Sequence, residues 1–422
     1  MSRHECTDEV LYLRAAGVDV GKRFVVACVR VPNTKRAGTW SLETERFEAT
    51  PSQVRRLARW LIERGVEVVV LEATSDYWRP VYYPLQDAGL NLMLVNPSHL
   101  RGIRGRKTDP SDAAFLARAG ASGMVMASFV PPRAIRELRD VTRRGTEITG
   151  EHSREIQRLE KELEDTGMKL TSVLTDLTGV SSRRILGALI EGERDPVVLA
   201  GLAAGRARRK TARLVAALDG TFTEHHAFMC RHYLDQVDHL AGVIVALDAR
   251  IAGIMRQAEW ERDIANLDTI PGIGRGAAEI VIAETGGDMA PFATVGHLAS
   301  WIGVCPGVNE SAGVNKSGHT RHGNANLKRV LGIGAMAAIK RKDSYYGVYY
   351  RRMSARRGKQ RALVAVMHTL AIAIWQVLTS KVPYRDLGAD YFSQRDPARA
   401  MRRITAQANA LGLTVRFDPI EA

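Results

Sequence analysis

The stretch LRAAGVDVGKRFVVACVRV, from Leu13 to Val31, decides the fold of the N-terminal region, because it contains two short apolar runs separated by Gly21 and Lys22. A third and more polar segment follows around residues 40–47. Three short segments of this kind in succession, rich in β-forming residues, predict an antiparallel β-meander.

Helices and strands alternate in the next part of the chain. Helical patterns cover Ser52 to Arg64 and Tyr77 to Ala88, and the apolar segments VEVVVLEA (66–73) and NLMLVNP (91–97) have the composition of strands. This alternation predicts parallel strands joined by crossover helices. A meander followed by β-α-β units is the element order of a ribonuclease-H-like fold in the α/β class.

The composition changes after Pro131 and Pro132, where a charged helical pattern extends from about Arg133 to Asp165. Its second half, EIQRLEKELED, has coiled-coil character. Further helical stretches continue to about Gln257. We expect an all-helical arm that serves self-association or nucleic-acid contact.

The segment LDTIPGIGRGAAEIVIAETG, from Leu267 to Gly286, opens a third and mainly helical region. A glycine-rich turn between two helices is typical of helix-hairpin-helix elements, whose backbone N–H groups can hold a DNA phosphate. A plain helix-helix turn is the alternative. The predicted division of the chain is therefore residues 10–130, 131–262 and 263–385, with a C-terminal tail over 386–422.

Positive charge is concentrated in one segment. The 422 residues carry a formal net charge of +14, and the segment from Asn315 to Arg361 holds thirteen Lys or Arg against a single acid, Asp343. Most short charge runs are solvated helix faces. At this density, however, the segment predicts binding to nucleic-acid phosphates.

The four cysteines lie far apart in the chain and form neither a CxxC pair nor a Cys/His cluster, which indicates neither a disulfide framework nor a zinc site. The first ten residues lack the apolar core of a signal peptide. The apolar stretch from Ala362 to Leu378 is shorter than the roughly 20 residues that a membrane helix needs. We expect a core helix there, a cytoplasmic bacterial location with nucleoid association on DNA, and no membrane partner.

Four carboxylates are candidates for one site. Asp19 ends the first predicted strand, Glu72 ends the run VEVVVLE, and Asp109 and Asp112 lie three apart in RKTDPSDAAFLARA. An acid at the end of an apolar strand is costly to bury unless it meets a cation. Spacing of three places both aspartates near one face of a helical turn.

Hard divalent cations bound through oxygen would compensate these charges. Two Mg²⁺ ions roughly 3.5–4 Å apart would stabilise the attacking and leaving oxygens of a phosphodiester displacement. Taken singly, Asp109 could be a helix N-cap, Asp112 a solvent-facing acid and Asp19 a turn residue. Asp76 could replace one ligand, although we rank it as a loop residue.

At this point the motifs resemble the DEDD transposases of the insertion-sequence one-ten family, which are related to the Piv/MooV DNA invertases. GVDVGK, VVVLEAT, VNP followed by KTDPSDA, IPGIG and GVCPGVNESAGVNKSGHTRHGNANLKRVL occur in the family's order between Leu13 and Leu378. Each motif is weak alone, and the ordered set is highly specific.

The resemblance implies a RuvC-like nuclease domain with Asp19, Glu72, Asp109 and Asp112 as its metal-binding tetrad, and a C-terminal transposase domain with a nucleophilic serine, Ser311. It implies two Mg²⁺ ions, with Mn²⁺ as an alternative ion. It also implies donor and target DNA as substrates, a noncoding bridge RNA as guide, and a homo-oligomer, a dimer or tetramer, held by the helical arm.

The chain departs from the family pattern in two places. In the string Thr320-Arg321-His322-Gly323-Asn324, Arg321 stands where the family commonly has lysine, so the positive charge is kept. The family's Ser-Gly pair has two matches, Ser311-Ala312-Gly313 and Ser317-Gly318, and Ser311 is preferred. The residues expected to contact nucleic acid are Lys316, Arg321, His322, Asn324, Lys328, Arg329, Arg351, Arg352, Arg356 and Arg357.

From the residues alone, Ser311 in a Gly/Asn loop could be only a turn former. Nearby cationic groups would favour chemistry, because they could stabilise an alkoxide and a pentacoordinate phosphate. The predicted function is a DNA recombinase that uses the tetrad and the serine. The alternatives are a metal-dependent nuclease of the Holliday-junction resolvase type, which would activate water, and a non-catalytic nucleic-acid-binding or sugar-kinase-like protein.

Overall fold

A computed structural model describes residues 10–72, 76–96, 109–257, 260–305, 310–311, 314–315, 320 and 322–418. The chain divides into two compact units, Met1–Val130 and Pro131–Ala422. The first unit is built on a mixed sheet and the second is mainly helical, which confirms an α/β N-terminal part followed by a helical part.

The sheet of the first unit has five strands in the order β3-β2-β1-β4-β5. Strands β1, β2 and β3 form the predicted antiparallel meander, and β4 and β5 continue the sheet in parallel with β1. The strands are β1 (Ala15–Val20), β2 (Phe24–Pro32), β3 (Trp40–Glu48), β4 (Val68–Glu72) and β5 (Leu92–Val95).

Helices cover both faces of this sheet. On one face, α1 (Pro51–Glu63) and α2 (Arg79–Asp87) pack on alternate strand residues such as Val18 and Leu71, which are fully buried. On the other face lies α3 (Asp109–Ala121). Burial on both faces explains the continuous apolar runs of β1 and β4 in the sequence.

The backbone of helix α3 approaches the backbone of the sheet closely, without side chains between them at Gly17. A Cβ added to Gly17 of β1 would lie 2.0 Å from the carbonyl oxygen of Ala113, and one added to Gly120 would lie 2.4 Å from a methyl group of Val70. Only glycine permits this approach. The end of α3 packs near Ala15, at the start of β1, and its beginning packs near β2 residues opposite the end of β1. The helix therefore runs antiparallel to β1.

Two long helices dominate the first half of the second unit. The 33-residue α4 (Arg133–Asp165) matches the predicted bounds and is continuous through Gly145 and Gly150. It pairs with the 34-residue α9 (Glu224–Gln257). Leu159 and Leu163, in the segment with coiled-coil character, are buried within the chain beside the start of α9. Short helices α5 to α8 lie between them: Leu170–Val173, Val180–Ile190, Pro196–Gly201 and Thr211–Ala217.

The second half of this unit is also helical. A two-strand ribbon of β6 (Glu310–Ser311) and β7 (Val314–Asn315) interrupts it. The helices are α10 (Glu261–Asp268), α11 (Arg275–Thr285), α12 (Val295–Ile302), α13 (Ala325–Ala338), α14 (Tyr345–Arg357), α15 (Lys359–Ser380), α16 (Tyr391–Arg395) and α17 (Pro397–Ala410).

Helices α10 and α11 form the predicted pair around a glycine-rich turn. Gly272 in this turn adopts φ +86°. A Cβ added to it would lie 2.1 Å from the carbonyl oxygen of Gly334 in α13. The turn is therefore packed against another helix at Gly272, which gives this glycine a structural role.

Helix α15 is long and apolar enough to cross a membrane by length and composition alone, and half of its most apolar window is buried. It packs against α10, α12, α13 and α14. Leu370, Ile374 and Leu378 are among its buried residues. These contacts are those of the predicted core helix.

The contact at Gly17 generates a stability prediction. Gly17→Ala should destabilise the full-length chain by about 1–3 kcal/mol, because the new methyl group forces α3 away from the sheet. Gly145→Ala is the matched control, since its Cβ would meet nothing within 4 Å and alanine is the better helix former by about 0.5–1 kcal/mol. Thermal unfolding of the three proteins tests this. Equal melting temperatures for wild type and Gly17→Ala would contradict the close contact.

Candidate functional site

The predicted acids of the two neighbouring strands lie level with each other. Parallel pairing of β1 with β4 runs from Ala15 with Val68 to Val18 with Leu71, and Asp19 and Glu72 are the next residues of the two strands, toward their carboxyl ends. Both side chains are partly exposed. Side chains alternate along a strand, so Asp19 lies on the sheet face of Gly17, the face that α3 covers.

Helix α3 begins at this same end of the sheet. Asp109 and Asp112 both belong to its first turn, and Asp112 is partly exposed. The antiparallel course of α3 along β1 therefore brings the first turn toward Asp19 and Glu72. The side chain of Asp109 lies outside the described part of the chain. Asp76, the alternative ligand, is strongly exposed and pairs with Arg79 at 3.4 Å.

The oxygen atoms of these acids are potential ligands of a divalent cation. Among the described side chains, no group of three or more His, Cys, Asp or Glu residues is close enough to hold a metal ion. The donor set at this edge nevertheless consists of carboxylate oxygens alone, the ligand type that Mg²⁺ and Mn²⁺ prefer. The residues therefore fit a hard divalent cation in the chemistry of their donor atoms.

The predicted serine lies in the two-strand ribbon of the second unit. Ser311 pairs with Val314, and Glu310 pairs with Asn315. For the four ribbon residues, the structure describes the backbone only. Lys316, Ser317, His319 and Arg321 lie outside the described residues, so their placement stays a prediction.

A buried carboxylate contacts Asn324, which follows the two-strand ribbon in the sequence. Glu284, at the end of α11, is completely buried. Its carboxylate accepts hydrogen bonds from the Arg143 guanidinium of α4 at 2.7 and 2.8 Å and from the Asn324 amide at 2.6 Å. Arg139 adds an ion pair at 3.4 Å. Three elements distant in sequence are thus joined through one charge.

This network accounts for the ionisation of Glu284. Burial raises its pKa, but the hydrogen bonds from Arg143 and Asn324 and the charges of Arg143 and Arg139 outweigh burial, so the pKa of Glu284 lies below its ordinary value. The same hydrogen bonds raise the pKa of Arg143. Glu284 is therefore a buried anion that is stabilised by the arginines of α4 and by the Asn324 amide.

Two residues expected to contact nucleic acid have partners inside the protein. Asn324 is the N-cap of α13: its side-chain oxygen accepts a hydrogen bond from the Leu327 amide at 2.9 Å, and its amide donates to Glu284. The Lys328 ammonium donates to the Thr320 hydroxyl at 3.1 Å. His322 and Arg329 are exposed. Both the oxygen and the nitrogen of the Asn324 side chain therefore make structural hydrogen bonds.

The predicted arginines of α14 lie on the surface. Arg351, Arg356 and Arg357 are exposed, and Arg352 is partly exposed. The Arg351 guanidinium donates to the carbonyl of Lys342 at 2.6 Å. These positions leave guanidinium groups accessible to a polyanion.

The tail contains two helices that the sequence pattern did not predict. Residues 386–422 were assigned only as a tail, yet α16 and α17 fold there and bring Arg395, Arg399 and Arg403 to the surface. The spacing of four between Arg399 and Arg403 is a signal that could have found these two, because residues four apart share one face of a helix.

Two family models match this chain. A model for DEDD-type IS110 transposases, described as a transposase, matches residues 16–168, and a model described as the transposase IS116/IS110/IS902 family matches residues 264–351. The chain belongs to the IS110 family of transposases. Its enzymatic class is therefore DNA cleavage and recombination, with DNA as substrate. Both α3 and the Glu284 network lie in the matched ranges, and the tail does not.

Individual relatives agree with this assignment. The IS110-family chain is 25% identical over 333 residues to the transposase for insertion sequence element IS1111A of Coxiella burnetii, covering 76% of this chain and 80% of that protein. It is 24% identical to an uncharacterized 42 kDa protein of insertion element IS900 from Mycobacterium paratuberculosis, covering 66% of this chain and 73% of the relative. An uncharacterized 43.6 kDa protein of insertion element IS110 from Streptomyces coelicolor is 36% identical over 92 residues, 21% of this chain and 22% of that protein.

Glu284 gives a stability prediction with a defined pH dependence. Glu284→Gln should destabilise the protein by about 1–3 kcal/mol at neutral pH, because it removes the buried carboxylate that accepts charge-assisted hydrogen bonds from the partly exposed Arg143. Since the folded pKa is lowered, this stabilisation is full above the ordinary carboxyl pKa of about 4.3 and is lost as the pH falls through the lower folded value.

Thermal unfolding between neutral and acidic pH measures this effect. The melting temperatures of wild type and Glu284→Gln should converge as the pH falls. Glu279→Gln is the control, because Glu279 pairs with a half-exposed arginine, Arg275, and should change stability by less than about 1 kcal/mol. A difference between wild type and Glu284→Gln that does not depend on pH would contradict the role of the charge.

Proposed function

We propose that this transposase cleaves and rejoins DNA strands with the carboxylates Asp19, Glu72, Asp109 and Asp112 and with Ser311 as nucleophile. The observation that carries the proposal is the common edge of the sheet in the first unit. Asp19 and Glu72 are level in the register of β1 and β4, and α3, which carries both other aspartates, begins at that edge.

We propose further that the first unit is a ribonuclease-H-like domain of the RuvC type. Its support is the topology: a three-strand antiparallel meander continued by two parallel strands, with helices on both faces. In such a sheet the acids of β1 and β4 share one edge by construction. The division into a nuclease domain (10–130), a helical arm (131–262), a transposase domain (263–385) and a tail (386–422) is part of this proposal.

The four carboxylates would hold one or two Mg²⁺ ions, with Mn²⁺ as an alternative. When bound, such ions stabilise negative charge on the attacking and leaving oxygens of a phosphodiester. The role of the protein is to fix the acids on rigid elements, because α3 packs at close range on β1 at Gly17 and on β4 at Gly120. Backbone-level packing therefore limits the movement of the α3 acids relative to the strand acids.

Ser311 would supply the covalent step. Its oxygen forms a bond to phosphorus, the bond from phosphorus to a deoxyribose oxygen breaks, the serine proton passes to a base, and the leaving oxygen gains a proton. One phosphodiester replaces another, so the reaction conserves bond energy and needs no ATP. Reversal on another strand completes an exchange.

The remaining partners rest on the family resemblance. We propose a noncoding bridge RNA as guide and a homo-oligomer that uses the helical arm. The exposed arginines of α14 support nucleic-acid contact. The coiled-coil-like residues Leu159 and Leu163 pack within the chain, so other residues of the arm would form the oligomer contact.

The carboxylate proposal predicts loss of recombination in a folded protein. Asp19→Ala, Glu72→Ala, Asp109→Ala and Asp112→Ala should each reduce strand exchange to background, because each removes oxygen ligands from one site. Asp76→Ala is the matched control, since Asp76 is exposed and pairs with Arg79, and it should keep wild-type activity. Recombination with Mg²⁺ and with EDTA is the measurement. Wild-type activity in EDTA would overturn the metal assignment, and full activity in one variant would remove that residue from the site.

The serine proposal predicts a covalent intermediate. Wild-type protein incubated with labelled DNA and then denatured should carry a DNA strand on a gel. Ser311→Ala should lose this species and Ser317→Ala should keep it. The reverse pattern would assign the nucleophile to Ser317. Cleaved free ends with no adduct in wild type would instead support a water-activating nuclease of the resolvase type.

A further inference from the structure

The C-terminal tail is held against α14 by aromatic contacts. Phe392 of α16 stacks on Tyr345 at 5.2 Å and on Tyr349 at 5.9 Å between ring centres. Tyr391 contacts the edge of Tyr345 at 5.4 Å. The backbone N–H of Tyr345 also donates to the Asp386 carboxylate at 3.1 Å. The tail helices are therefore docked at a defined position beside α14.

This docking creates a cleft of 730 Å³, which we call the tail cleft. Its wall contains five arginines from three helices and a single acidic residue, Asp396. One Asp396 oxygen already accepts the N–H of Arg399 as the N-cap of α17. The five arginines are Arg352 and Arg356 of α14, Arg395 of α16, and Arg399 and Arg403 of α17.

The arginines of the tail cleft have no salt-bridge partner in the part of the chain that the structure describes. Among the described residues, none of the five arginines makes an ion pair. Arg352 lies over the ring of Phe392 at 4.8 Å, which orients its guanidinium without removing its charge. Placing several like charges around one cleft is unfavourable unless an anion binds there.

We propose that the tail cleft binds the phosphate backbone of the DNA that this transposase processes. The inference rests on the proposed function for its substrate and adds a binding site outside both segments that match the family models. Arginine binds phosphate oxygens in bidentate geometry. Five arginines on three helices exceed what a single phosphate engages, and this favours a polymer over a free ion.

The arginines of the tail cleft should contact DNA without recognising its base sequence. Guanidinium groups that bind phosphates fix the position of DNA and carry no sequence information directly. Each phosphate contact contributes about −0.9 to the slope of log affinity against log salt concentration. The two arginines of α17 should therefore contribute about −2 to the slope of log affinity against log salt concentration.

The test is the salt dependence of DNA binding by the full-length protein. Arg399→Gln/Arg403→Gln should reduce the slope by about two on any duplex of equal length. Arg402→Gln/Arg416→Gln is the control with the same charge change, because neither residue lines the tail cleft, and it should leave the slope near wild type. Arg399→Lys/Arg403→Lys keeps the charge and should keep the slope, which excludes misfolding of the tail as the cause.

Each result decides between defined conclusions. An equal reduction in the Arg402→Gln/Arg416→Gln control, or an unchanged slope in Arg399→Gln/Arg403→Gln, would overturn the tail cleft and leave the proposed function intact. A reduction seen with a structured RNA but not with duplex DNA would also overturn the DNA assignment. A wild-type protein that binds no DNA at any salt concentration would overturn both.

Discussion

The contact between α3 and the sheet at Gly17 is the constraint on which the arrangement of the first unit depends. A hydrogen atom at this position lets the backbone of α3 lie against β1. Val26 and Cys28 of β2 then pack on the first half of the helix, around Ala113. The helix runs antiparallel to β1, so its first turn lies toward the edge where β1 and β4 end.

The second unit depends on a different interaction, a buried charge. Glu284 has no exposed surface, and its compensation requires Arg139 and Arg143 from α4 together with the N-cap Asn324 of α13. A buried ion pair of this kind contributes little net stability compared with apolar packing, but loss of one partner is costly. It therefore specifies how these helices pair. Asn324 lies shortly after Ser311 in the sequence, and the network joins Asn324 through Glu284 to α4.

The tail shows how a surface site can arise from elements that have no core of their own. Helix α17 has no buried residue, and the aromatic side chains of α14 and α16 supply the contact that holds the tail in place. Once docked, the tail adds three arginines to two from α14. The positive surface is thus larger than the basic run from Asn315 to Arg361 indicates, and it includes residues more than thirty positions beyond that run.

The sequence alone determined the local elements of this protein, its ordered family motifs and the four candidate acids. The bounds of α4 and the order of strands and helices along the first unit were predictable because side-chain periodicity and turn residues act over a few neighbours. Only the tertiary structure decided which distant residues meet. The register of Asp19 with Glu72, the partners of Glu284 and the convergence of Arg352 with Arg403 join positions tens of residues or more apart. Such contacts depend on packing and charge compensation in three dimensions, and no local pattern in the chain encodes them.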